Sequence, residues 1–119
     1  MDYKTACEFA IAQGLPTGEN PDAFLLRLQA GEPPVPGQVT SLLLALSIIA
    51  EQSQEQQLLE RRLVCALHRL AMESRQAFVQ HKQSGLIWPP LLDQDLTRIA
   101  IAVGKIFAPQ QAIALRPGQ

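Results

Sequence analysis

At 119 residues the chain has room for one domain, with a core that needs neither disulfides nor a metal. Its apolar content of 47% is mostly aliphatic, with aromatics at 5%, a mix that suits helices better than sheets. A net charge of −1 argues against a general nucleic-acid binder, and a charged fraction of 18% leaves more of the surface neutral or apolar than is usual.

In chain order, a first helix is expected over Tyr3 to Gln13, with Asp2 as its N-cap and Gly14 as its stop. Ala6, Phe9, Ala10 and Ile11 mark its inner side. Asn20 reads as the cap of a second helix, Pro21 to Ala30, with Pro21 at the first helical position and Gly31 as the stop. Glu32 to Gly37 carries three prolines and reads as a stiff extended connector. A third helix follows over Gln38 to Gln52. Leucines and isoleucines go nearly all the way round it, so it is expected to be buried centrally. Ser53 and Gln56 match a capping box and open a long fourth helix, Gln54 to Gln83. Leu86 to Pro90 is a second connector, carrying Trp88. A fifth helix spans Pro90 to Phe107, with Leu92, Leu96, Ile99, Val103 and Ile106 inward, and Pro109 ends it. No stretch alternates with period two for long enough to make a strand. The expected architecture is all-α: a helical domain over residues 1–108, built around an antiparallel hairpin of helices three and four, with a frayed or loosely docked tail over 109–119.

The fourth helix carries the functional signal. At about 100° per residue, Leu59, Leu63, Ala66, Leu67, Leu70, Ala77 and Phe78 form an ordinary core stripe. On nearly the opposite face stand Leu58, Cys65, Met72 and Val79, each seven residues from the next, a spacing that keeps side chains close to one line. Arg61, His68, Arg75 and Lys82 flank this second stripe on one side, Arg62 and Arg69 on the other. Two readings stay open. Either the helix is central and its own chain packs both faces, or the second stripe is a surface seam for another protein or a second copy of the chain. Trp88 is either a plug over the helix ends or an exposed anchor for a partner.

Other constellations read as structural. Cys65 and His68 could touch one metal, but the sequence offers no second paired motif to complete four ligands, so no metal is expected. Asp93 and Asp95 complement the positive end of the fifth helix rather than forming an acid–base pair. No phosphate loop, dinucleotide fingerprint or nucleophile elbow is present, and neither a catalytic residue nor a cofactor is expected. The spacing of Pro33 and Pro36 fits a polyproline ligand but reads more simply as a linker. Cys7 and Cys65 are expected to be reduced and buried. The longest apolar run, Val39 to Ala50, is too short to span a membrane, and Met1-Asp2-Tyr3-Lys4 does not look like a secretory leader, so a cytoplasmic location is expected.

Two segments, NPDAFLLRLQAGEPPVPGQVTSLLLAL from Asn20 and ESRQAF followed by WPPLLDQDLTRIAIAV from Glu73, resemble a family of short helical cyanobacterial proteins without an assigned function. Some members of that family bear the label dethiobiotin synthetase. The label implies a P-loop ATPase of roughly twice this size, and this chain has neither the Gly-rich loop nor its lysine. What the resemblance implies is a supporting role near photosynthetic or carbon-fixing machinery. The reading that follows is a non-enzymatic interaction, assembly or regulatory factor acting through the second stripe and Trp88. A helical regulator with a small-molecule pocket between helices three, four and five is the alternative.

Overall fold

The computed structural model describes residues 1–108, and the tail expectation lies outside the described residues. Helix α1 spans Tyr3–Gly14. The Asp2 carboxylate accepts the Thr5 N–H at 2.7 Å, the bond an N-cap supplies, and this backbone donor holds the carboxyl below the ordinary carboxylate range. Gly14 is the last helical residue rather than the stop, and Leu15 closes the helix. Its reason is proximity: a Cβ at Gly14 would press on the Leu70 side chain at 2.7 Å and on the Ala66 carbonyl.

Helix α2 is short, Phe24–Gln29, and begins later than Pro21. Residues 20–23 form a turn instead, closed by the Ala23 N–H on the Asn20 carbonyl at 3.2 Å. The Asn20 amide donates to the Ala12 carbonyl, so it ties α1 to the loop and does not cap α2. The cap comes from α1: the Gln13 Oε1 accepts the Phe24 N–H at 2.7 Å. At the other end Gly31 adopts φ of 76°, a left-handed conformation that costs glycine little, and the chain leaves the helix there.

Helix α3 spans Gln38–Gln52, as its pattern indicates. Leu42, Ala45, Leu46 and Ile49 are fully buried, but Leu44 is 51% exposed, so α3 is not enclosed on all sides. The capping box does not form. Ser53 caps the C-terminus of α3, the Gln56 N–H closes a turn on the Ser53 carbonyl, and helix α4 starts only at Arg61 and runs to Gln83. Gln54, Glu55, Gln56 and Gln57 are all exposed, so helix there would bury nothing to offset the entropy of ordering it. Helix α5 spans Leu92–Phe107 and buries the five residues its period marks.

Five helices and no strand occur among the described residues. Gln13 at the end of α1 meets Gln38 at the start of α3, and Tyr3 meets Gln56 just past the end of α3, so these two helices run antiparallel. Helices α3 and α4 run in opposite directions and line the same core. Their nearest backbone neighbours are the helices that fill in on either side, α1 and α5, each of which packs on both, while α2 lies on α4.

Candidate functional site

Helix α4 has two unlike faces. Leu63, Ala66, Leu67, Leu70, Ser74, Ala77 and Phe78 are buried, and the Ser74 hydroxyl is satisfied within the helix by the Leu70 carbonyl. The opposite face looks outward. Cys65 is exposed, Met72 is 51% exposed and Val79 40% exposed. The choice between a doubly buried helix and a surface row is thereby made: this row does not contribute to the core. Cys65 departs from the burial expected of it, and Cys7 is half-buried. Leu58, 86% exposed, precedes the first turn of α4 and so is not part of the helical row.

The basic residues sort into engaged and unengaged groups. Arg75 is a tie between helices. Its Nη1 meets the Asp93 Oδ1 at 2.6 Å, its Nη2 donates to the Asp93 carbonyl and the Thr97 hydroxyl, and its guanidinium lies 5.2 Å from the Phe78 ring centre. Arg69 pairs with Glu73 at 3.1 Å one turn along α4. Arg61, Arg62 and His68 are exposed and make no ion pair among the described residues. Val64, also exposed at the surface, extends the apolar row beside His68 and has no place in the seven-residue spacing.

Trp88 is 8% exposed, which makes it a plug and removes it from the docking face. Its Nε1–H donates to the Phe78 carbonyl at 2.9 Å, its ring stacks on Phe78 at 5.7 Å, and the His81 ring meets it edge-on. The His81 Nε2 in turn lies 2.9 Å from the Gln29 carbonyl. These contacts pin the proline-rich connector and the end of α2 to the last turns of α4.

Chemistry elsewhere is sparse. Burial pushes the Cys7 thiol up, with Glu60 and Glu8 nearby adding to the effect, and burial also raises the Tyr3 phenol. A thiol held protonated is a weak nucleophile. Among the described residues no three His, Cys, Asp or Glu side chains converge on one metal position. A groove of about 440 Å³ lies between α3 and α5, floored by Leu43, Leu46, Ala50 and Ile101, with Glu51, Lys105 and the Asp95-paired Arg98 at its edge. It has no wall from α4, unlike the three-helix pocket the sequence suggested.

No helix among the described residues is long and apolar enough to cross a membrane. Compared with protein-family models, with curated proteins and with solved structures, the chain has no match, so the site rests on its own geometry.

Proposed function

We propose that this chain is a non-enzymatic interaction or assembly factor of the cytoplasm, and that it holds a partner protein on the outer face of α4. The observation that carries the reading is the exposed row of Cys65, Met72 and Val79 on a helix whose other face is already a complete core. Those side chains lie outside the buried core, and water contact with an apolar row is relieved when another apolar surface covers it. An apolar centre bordered by arginine matches the make-up of protein interfaces. The free thiols of Cys7 and Cys65 support a reducing compartment.

The test uses wild-type protein and Met72→Glu as paired baits. Glutamate in the middle of the row would bury an unpaired charge in any complex. A protein recovered in stoichiometric amount by wild type and lost by the folded variant supports the reading. Identical recovery by both baits contradicts it. The α3–α5 groove favours a second reading, a regulator that binds a small apolar molecule against Leu43, Leu46, Ala50 and Ile101. Native mass spectrometry of the purified protein would reveal that molecule as a fixed added mass.

A further inference from the structure

Resting on the docking reading above, we infer that the occupant of the α4 face is an acidic amphipathic helix of a different protein, and not a second copy of this chain. Helix α4 holds Arg61, Arg62, Arg69, Arg75 and Lys82 against the single carboxylate Glu73, while the whole chain carries −1, so α4 is a cationic strip on an otherwise acidic molecule. Glu73 is taken by Arg69 and Asp93 by Arg75.

A two-fold pairing of α4 with itself meets this charge head-on. In the antiparallel register that puts Met72 on the axis, Cys65 of one copy faces Val79 of the other, an acceptable apolar match. The same register turns each flank against its own flank on the second copy, which sets Arg61 against Lys82 and Arg75 against His68. In the parallel register each flank meets the opposite one, which sets Arg62 against Arg61. Both arrangements juxtapose like charges with no carboxylate free on α4 to intervene, and like charges across an interface oppose association strongly. An apolar row edged with Asp and Glu meets the same surface with opposite charge on both sides. Arg61 and Arg62, exposed and unengaged among the described residues, are the groups most available to it. The helix-in-groove mode of recognition uses this type of ligand, anchored at positions one turn and two turns apart. A nucleic acid fits less well, because the centre of the strip is apolar.

The experiment uses the full chain and two synthetic peptides. Each is an alanine-based helix with one row of leucines, bordered by glutamates in the first and by lysines in the second. Binding is read by fluorescence anisotropy, and the site by protection of Cys65 from maleimide, with Cys7 as the internal control. The inference expects the glutamate peptide to bind at least about tenfold tighter than the lysine peptide. It also expects that peptide to slow labelling of Cys65 alone, and to lose its binding in folded Met72→Glu. Equal affinity of the two peptides, with Cys65 still protected, would keep the docking face and overturn the acidic partner. A dimer of the chain that dissociates in Met72→Glu would do the same in favour of a second copy. A DNA duplex that protects Cys65 as well as the glutamate peptide does would overturn it in favour of a polyanion. Failure of both peptides to bind overturns the inference outright, while the paired-bait experiment still judges the docking face itself.

Discussion

Gln13 and Gln38 are polar side chains in the interior, and between them they settle three backbone groups. The Gln13 Oε1 accepts the Phe24 N–H and the Gln38 Nε2–H, at 2.7 and 2.9 Å. The Gln38 amide also donates to the Asp22 carbonyl at 2.8 Å, and its oxygen accepts the Val35 N–H at 3.0 Å. Removing one member strands the others away from water. Gln13→Ala and Gln38→Ala should each lower stability by about 1–3 kcal/mol in urea titration. The double variant should cost less than their sum, because the shared bond can be lost only once. The two cysteines make a second residue-scale test. Cys65 is exposed and should react with iodoacetamide first at neutral pH. Burial raises the Cys7 thiol, so its alkylation should lag until the pH is higher than an ordinary thiol needs. Equal rates for both thiols across that pH range would contradict their placement.

Among the elements, close approach decides how α1 meets α4. Gly14→Ala puts a methyl group into the Ala66 carbonyl and the Leu70 side chain, and the helices must move apart. A loss of about 1–3 kcal/mol is expected, seen as a lower midpoint in chemical denaturation. Trp88→Ala removes the stack on Phe78 and the bond to its carbonyl, and should cost about 3–5 kcal/mol. Helices whose ends are set by their own residues were legible in the sequence. Asp2 caps α1 three residues away, and α5 shows its buried face through period alone. Ends set from a distance were not. Asn20-Pro21 has the form of a helix start, yet α2 takes its cap from Gln13 on another helix, and Asn20 bonds backward to Ala12. Ser53 and Gln56 have the form of a capping box, yet Ser53 is drawn into the core at the end of α3 and the polar stretch behind it has nothing to pack on. The seven-residue row on α4 was legible, but whether its own chain covered it was not, because burial depends on where the neighbours lie. Arg75 shows the same limit: its engagement with Asp93 and Thr97 comes from the approach of α5.

For the whole molecule, each helix buries one side, and the outer side of α4 carries Cys65, Met72 and Val79. Helices α1 and α5 flank it and α2 lies on it, and α4 enters the shared core through Leu63, Ala66, Leu67, Leu70, Ala77 and Phe78. Within one helix Leu63, Leu67 and Leu70 hold the core while Cys65, Met72 and Val79, the proposed docking row, face outward. Thermal unfolding of Met72→Glu tests that separation most directly. A charge placed on a free surface leaves the fold untouched, so the melting temperature should shift by less than about 4 °C. A fall of more than about 10 °C, the size expected when a buried apolar side chain is lost, would show that the outer row belongs to the core and would contradict the account.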